Sequence, residues 1–236
     1  MTLRNLYQEQ LDVLLNDLDA MGFKVSNIMQ KTIVSLRNLD FELAHKISSS
    51  DYEIDKIDHD IENKCIRLLS LQHPVASDLR KITGYLKIIT DIERISDQCA
   101  DICEIIWLKN LNSDTKYLDL IISMLTKVYD MFKRILKIVK LYNLEECKDI
   151  CEFDNEVDSD FTNIISNICS FISIHSDKTE FTKSEYIQSN TKISSKVKAS
   201  VDLLFIAKYI ERIGDHCTNI AEWVIYIHTG VHLNLN

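Results

Sequence analysis

Residues 209 to 224 read Tyr209-Ile-Glu-Arg-Ile-Gly-Asp-His-Cys-Thr-Asn-Ile-Ala-Glu-Trp-Val224, and an earlier segment nearly repeats them. The earlier copy is Asp91-Ile-Glu-Arg-Ile-Ser-Asp-Gln-Cys-Ala-Asp-Ile-Cys-Glu-Ile-Ile106. The two copies align at a single offset of 211 − 93 = 118 residues, which brings Glu93 onto Glu211. Because an internal repeat fixes how many units a chain is built from, the sequence predicts a tandem duplication.

A second pair of segments supports the duplication at a different offset. Asp51-Tyr-Glu-Ile-Asp55 matches Asp154-Asn-Glu-Val-Asp158 at 154 − 51 = 103 residues. The difference of 118 − 103 = 15 residues requires an insertion in the second half of the chain. We assign it to the polar stretch near 175–190. The predicted domains are a first repeat at 1–111 and a second at 112–236.

The composition predicts an all-α fold. The chain has 236 residues with one proline and four glycines, which is too few for the frequent hairpin turns of a β-rich protein. Apolar residues recur at helical spacing over six segments. The sequence therefore predicts two three-helix bundles in tandem, with six long antiparallel helices at about 3–38, 40–71, 74–108, 115–141, 144–174 and 194–228.

The formal net charge of −9 argues against a nucleic-acid partner or an anionic membrane surface, because both attract basic patches. The N-terminus lacks the continuous apolar core of a signal peptide. No apolar run approaches the roughly 18 residues that a membrane helix needs, so we expect no direct membrane insertion. A cytoplasmic location is expected.

Seven cysteines, an odd number, fit reduced thiols in a cytosolic protein. Cys99 with Cys103, and Cys147 with Cys151, are four residues apart on predicted helices. Such pairs could form a redox couple or a soft-metal site, but free cysteine is commonly a small buried hydrophobe. We favour burial.

Acidic residues form repeated rows on the predicted helices, since residues four apart lie on one helix face. Each row borders an apolar stripe, about 100° around the helix from it. If the second and third helices of each bundle pack with these edges adjacent, each half gathers several carboxylates. The candidate metal ligands are Asp51, Asp55, Glu93, Asp97 and Asp101 in the first half, and Asp154, Asp158, Glu211, Asp215 and Asn219 in the second.

Two interpretations of these rows stay open on the residues alone. Carboxylates so close together raise one another's pKa unless a cation lies among them, and oxygen ligands suit Mg, Ca, Mn or iron. Alternatively, the rows are solvated surface residues, with Arg94 and Arg212 forming weak i,i+3 ion pairs. Four rows at matching places in the two repeats leave the metal site and the solvated surface as equal alternatives.

Catalytic interpretations find little support among the motifs of the sequence. It contains no Gly-rich phosphate loop, no Gly-x-Ser-x-Gly and no His-Glu-x-x-His. Glu42-Leu-Ala-His45 has the spacing used in di-iron bundles, but the second half offers no counterpart. His59, His73 and His216 are expected to be surface or hydrogen-bonded histidines.

Three motifs together resemble the PhoU family of phosphate-transport accessory proteins. They are Gln72-His-Pro-Val-Ala-Ser-Asp-Leu-Arg80, Ile92-Glu-Arg-Ile-Ser-Asp97, and Ile210-Glu-Arg-Ile-Gly-Asp215 with Asn219. The resemblance covers nearly the whole chain. It implies paired three-helix bundles, a homodimer, no enzyme activity, and acidic rows that bind multinuclear iron or zinc clusters; Mg or Mn also fits the ligands.

The resemblance further implies a negative regulator of phosphate signalling. Such a protein links the phosphate ABC transporter, through its ATPase subunit, to a phosphate-sensing histidine kinase, so that starvation genes are repressed when phosphate is plentiful. Two departures bear on the first half: Ser96 replaces the family's glycine, and Asp101 stands where the second copy has Asn219. The alternatives are a carboxylate-bridged, iron-handling bundle and a purely structural scaffold.

Overall fold

A computed structural model describes residues 3–71, 75–112, 115–141, 143–175 and 195–232. All regular secondary structure in these ranges is helical, which confirms the predicted all-α class. Seven helices are found there: α1 Leu3–Asn38, α2 Phe41–Ser48, α3 Tyr52–Leu71, α4 Ala76–Trp107, α5 Leu118–Leu141, α6 Leu144–His175 and α7 Ser195–Thr229.

Four long helices contact one another in a closed ring in the order α1, α4, α7 and α5. Over the described ranges, α1 makes no contact with α7, and α4 makes none with α5. Helices α2 and α3 lie against α1 and α4, while α6 lies against α5 and α7. The α1–α5 edge is therefore opposite the α4–α7 edge, which joins the two halves of the chain.

The apolar stripes predicted for α4 and α7 are buried along their whole length, from Tyr85 to Ile106 and from Leu203 to Ile227. The two helices approach each other closely at Gly84. A Cβ atom built on Gly84 would lie 2.3 Å from Cγ1 of Ile227. Because an interior glycine weakens a helix by roughly 1 kcal/mol relative to alanine, its place here is explained by this close approach.

The predicted second helix, 40–71, is in two pieces, so the prediction of one continuous helix was wrong there. Three successive serines turn their hydroxyls back onto carbonyls of the preceding turn. Ser49 Oγ donates to the carbonyl of His45 at 2.7 Å, and Ser50 Oγ donates to that of Ile47 at 3.1 Å. Such bonds compete with helix continuation. Asp51 consequently lies in the turn before α3.

The second segment begins with an N-cap, since the Asp40 side chain accepts a hydrogen bond from the Leu43 amide at 3.0 Å. Pro74, His73 and residues 176–190 of the predicted insertion lie outside the described residues. None of the helices in the described part combines the length and apolar character that crossing a membrane requires.

Candidate metal-binding sites

Five carboxylates lie together where α3 packs on α4, and we call them the first acidic site. Carboxylate oxygens of Asp51, Asp55 and Asp97 lie within 4.8 Å of one another. Glu93 stands one turn before Asp97 on α4, and Asp58 lies one turn after Asp55 on α3. Because α3 runs along α4, Asp55 and Asp58 on α3 meet Glu93 and Asp97 on α4, and Asp51 joins them from the turn before α3.

Burial and mutual repulsion raise the pKa of Asp51, Asp58, Glu93 and Asp97. Burial first, then the charges of Glu93 and Asp51, raise the pKa of Asp97 to about 7. Burial also raises the pKa of Asp51. Hydrogen bonds with Asp97 and with Ser96 Oγ, the latter at 3.3 Å, partly oppose this rise. The pKa of Glu93 rises through burial and then through the charge of Asp58. Ionising all five at neutral pH therefore costs free energy.

Within the described ranges, the first acidic site contains no paired cation that balances this charge. Among the described residues, none of the ion pairs includes any of its five carboxylates. Arg94, the nearest arginine in sequence, is exposed and only moderates the pKa of Glu93. Oδ1 of Asp58 is buried and has no hydrogen-bond partner in the part of the chain that is described. These groups fit a hard, oxygen-seeking cation such as Mn²⁺, Mg²⁺ or iron.

Four carboxylates form a second acidic site where α6 packs on α7: Asp154, Asp158, Glu211 and Asp215. Asp154 is 5% exposed. Burial raises the pKa of Asp154 to about 6, against a hydrogen bond that Thr218 Oγ1 donates to its Oδ2 at 3.0 Å. The charges of Asp158, Asp215 and Glu211 add to the increase.

The second oxygen of Asp154 lies against the backbone of α7. Its Oδ1 is buried without a hydrogen-bond partner among the described residues, and a Cβ built on Gly214 would be 2.6 Å from it. In the first site the equivalent of Gly214 is Ser96, whose hydroxyl bonds to Asp51. The glycine therefore makes room for a buried carboxylate that the first repeat holds differently.

A lysine that the sequence interpretation missed belongs to the second acidic site. Lys208 forms an ion pair with Glu211, and its Nζ lies 5.4 Å from the centroid of the Phe161 ring. Burial and then Glu211 raise the pKa of Asp215, and the charge of Lys208 partly opposes this rise. The i,i+3 spacing of Lys208 and Glu211 on one helix was the available signal.

Two of the predicted ligands face elsewhere. Asn219 Nδ2 donates to Oδ1 of Asp91 at 3.4 Å, and Nδ1 of His216 lies 2.9 Å from the same oxygen. Burial and then Glu104 raise the pKa of Asp101, while Arg212 lowers it and Asp51 adds only a smaller increase. Both residues lie one turn beyond the acidic sites. The structure does not bring Asn219 to the second site, and the largest charge effects on Asp101 come from Glu104 and Arg212.

The remaining candidate residues are structural or exposed. His216 is hydrogen-bonded and 7% exposed, whereas His59 is exposed beside Glu62. His45 is exposed on α2, and its ring stacks on Trp107 at 4.5 Å, so Glu42 and His45 form no di-iron motif. Asp58 was also missed, although it follows Asp55 by three residues.

The paired cysteines are buried thiols. Cys99, Cys103 and Cys147 are fully buried, and Cys151 is partly so. Burial raises the pKa of Cys103 and of Cys147 to about 12, and that of Cys151 to about 11. Since the thiolate is the reactive and metal-binding form, burial rather than redox chemistry or metal ligation suits these cysteines.

A basic groove lies on the opposite edge of the ring, between α1 and α5. Its cavity is about 740 Å³ in volume, and it is lined by four cations (Lys133, Arg134, Lys137 and Lys140) and two carboxylates (Asp19 and Asp130). Phe23 stands at the groove with 67% of its surface exposed. Three of the four cations are ion-paired, Lys133 with Asp130, Arg134 with Asp149 and Lys140 with Asp19, so the groove carries only a small excess of positive charge, opposite in sign to the acidic sites.

These features define an all-helical protein of two tandem repeats, each carrying an acidic site where its last two long helices pack. The PhoU domain model matches residues 18–106 and 121–224. The chain belongs to the PhoU family.

Relatives match this chain from end to end. It is 35% identical over 237 residues to the phosphate-specific transport system accessory protein PhoU homolog of Clostridium acetobutylicum, covering 99% of both chains. It is 31% identical to the homolog of the same name in Borreliella burgdorferi, again over 99% of both. The crystal structure of the phosphate transport system regulatory protein PhoU from Streptococcus pneumoniae shares the fold, with a TM-score of 0.83 at 22% identity over 97% of this chain and 99% of that one.

Proposed function

We propose that this protein is a negative regulator of phosphate signalling and uptake. It acts as a non-enzymatic adaptor between the ATPase subunit of a phosphate ABC transporter and a phosphate-sensing histidine kinase, and it represses starvation genes when phosphate is plentiful. The observation that carries the proposal is the end-to-end match to relatives named as phosphate-specific transport accessory proteins. We further propose that it works in the cytoplasm as a homodimer.

Opposite charges on opposite edges support the adaptor role. Carboxylates line the α3–α4 and α6–α7 contacts, while lysines and an arginine line the groove between α1 and α5. Complementary charge chiefly sets partner choice and the rate of association. We assign the basic groove to an acidic segment of a partner protein, with the exposed Phe23 as its apolar contact.

Binding of divalent cations by the acidic carboxylates is part of the proposal. In the first site, Asp51, Asp55 and Asp97 would hold the ion, with Asp58 and Glu93 close enough to take part. A bound cation would offset the repulsion that raises these pKa values and would tie the turn before α3 to α4. Metal binding would thereby stiffen the surface that faces a partner.

A deletion strain tests the regulatory role. Loss of a negative regulator should leave alkaline phosphatase activity high in phosphate-rich medium, and the wild-type gene should restore repression. A Lys133→Glu/Lys137→Glu variant should fail to restore it, because these changes reverse the charge of two exposed groove residues. A Lys24→Glu/Lys31→Glu variant controls for the charge change, since it alters two exposed α1 lysines that do not line the groove. Normal repression in the deletion strain would contradict the proposed function.

The alternative, an iron-handling bundle with carboxylate-bridged metal, is favoured only by the closeness of the carboxylates. Bundles of that kind project their ligands into the core. Here Asp55 is exposed, and Asp51 and Asp97 are half-buried at the edge of the bundle. Oxidation of ferrous iron by the purified protein, faster than in buffer, would support the alternative.

A further inference from the structure

The two repeats differ at positions that face their acidic sites. With the offset of 118 residues, Lys208 on α7 corresponds to Thr90 on α4. With the offset of 103, Phe161 on α6 corresponds to Asp58 on α3. The second repeat therefore carries a cation and an aromatic ring where the first repeat carries a hydroxyl and another carboxylate.

The ammonium group of Lys208 is held from two sides. It pairs with the carboxylate of Glu211, which is 14% exposed, and it lies over the ring of Phe161 on the neighbouring helix. An ammonium within about 6 Å of an aromatic centroid is attracted to the ring face. Its charge also opposes the rise that burial and Glu211 cause in the pKa of Asp215. One side chain thus interacts with two carboxylates of the second site and with α6.

Thr90 supplies nothing comparable in the first repeat. Its hydroxyl donates to the Leu86 carbonyl of its own helix at 3.0 Å. Asp58 adds to the repulsion instead, because its charge raises the pKa of Glu93. The first acidic site holds five carboxylates without a paired cation among the described residues, and the second holds four carboxylates with one ammonium.

We propose that Lys208 is the built-in cation of the second acidic site, so that the protein binds divalent metal at the first acidic site only. A metal ion approaching Glu211 and Asp215 would have to displace the ammonium, or bind beside it and be repelled. At the first site it meets, among the described residues, five carboxylates and no ammonium group. This inference rests on the metal binding proposed above, and it adds which repeat carries the ion.

Reciprocal exchange of these residues tests the inference with Mn²⁺ as the probe. Free and bound Mn²⁺ are counted by electron paramagnetic resonance during titration of the full chain. Lys208→Thr/Phe161→Asp makes the second site like the first and should about double the Mn²⁺ bound per chain. Thr90→Lys/Asp58→Phe makes the first site like the second and should abolish most of the binding. Lys208→Thr alone guards against a folding defect of the double variant, and circular dichroism checks the helix content of each.

The outcomes separate the inference from the proposed metal role. The variants Asp158→Asn/Asp215→Asn and Asp51→Asn/Asp97→Asn should differ in the amount of Mn²⁺ they bind. An equal loss in both would overturn the role assigned to Lys208, although the protein would still be a metal binder. Unchanged stoichiometry in folded Lys208→Thr and Lys208→Thr/Phe161→Asp would overturn it too. A wild type that binds no Mn²⁺ would overturn the metal role and this inference, whereas the repression assay would still test the regulatory function.

Discussion

The first and second acidic sites come from one duplicated plan, yet they solve the same electrostatic problem in different ways. In the first, Asp51 and Asp97 lie beside three further carboxylates, and burial and repulsion raise the pKa of Asp97 to about 7. In the second, Lys208 pairs with Glu211 and moderates the pKa of Asp215. Duplication preserved the carboxylates, and divergence changed what balances them.

The backbone differs as well. Asp51 lies in the turn before α3, where a run of serines interrupts the helix, whereas Asp154 lies within the continuous α6. Asp154 is fixed by Thr218 and packed against Gly214. A carboxylate in a turn can adjust to a ligand more easily than one buried between two helices, so the first site is the better suited to bind and release an ion.

The largest difference between the sites should appear in metal affinity. Asp51→Asn/Asp97→Asn removes two of the three carboxylates that converge in the first site, and it should weaken Mn²⁺ binding by about 100-fold or more, because ligand charge sets the affinity of oxygen sites. The matched Asp158→Asn/Asp215→Asn should change affinity by less than about threefold. Isothermal titration calorimetry measures the Mn²⁺ affinity of both variants. An equal loss of affinity in the two would contradict the difference between the first and second acidic sites.

The second largest effect should be on stability, when Gly214 and Ser96, the small residues beside the carboxylates, are exchanged. In Gly214→Ser, the new Cβ would lie 2.6 Å from Oδ1 of Asp154, so the buried carboxylate must move, at a cost of about 2 kcal/mol. Ser96→Gly loses a 3.3 Å hydrogen bond and some helix propensity, and it should cost about 1 kcal/mol. Urea denaturation of each variant measures these costs. A Gly214→Ser protein as stable as the wild type would mean that Asp154 is free to shift.

The metal-free protein should lose stability as pH rises toward neutrality, mainly through the first site. Asp97 has a pKa of about 7 in the folded chain against 3.8 as its ordinary value. Its contribution is therefore complete below about pH 4 and is lost as pH rises through about 7. Asp97→Asn should remove about 1 kcal/mol of this dependence, given that the carboxyl is only half-buried. Denaturation at several pH values with chelator present checks it, and an unchanged slope would contradict the shift.

Lys208 should matter least to stability when no metal is present. Its side chain is 51% exposed, so the ion pair with Glu211 is screened by water and salt. Lys208→Thr should lower stability by less than about 1 kcal/mol, with the difference shrinking as salt concentration rises. Thermal denaturation at low and high salt measures this change. A large, salt-independent loss would show that the lysine is a structural element.

The sequence predicted the helices well, because the 3.6-residue period of apolar residues is a local property of the chain. The apolar stripes of α4 and α7 are buried as this period predicts. It missed the break at Ser49, Ser50 and Asp51, since the hydroxyl-to-carbonyl bonds there do not disturb the apolar pattern. The search for repeated residues located the convergent carboxylates Asp51, Asp55 and Asp97.

The same search could not reveal what differs between the repeats. Asp58 and Lys208 have no identical counterpart at the matching offset, so a pattern of repetition passes over them. Asn219 and Asp101 were placed with the ligands because they continue the i,i+4 rows. Where α4 packs on α7, Asn219 lies against Asp91 and Asp101 lies near Arg212 instead. Only the contact between helices decides this.

Anomalous X-ray scattering from crystals grown with Mn²⁺ tests the central claim most directly, because it locates each ion without reference to stability or affinity. The account predicts an anomalous peak among Asp51, Asp55 and Asp97, and none between Glu211 and Asp215 of the same chain. Peaks of equal height at both acidic sites, or a peak at the second site alone, would contradict it.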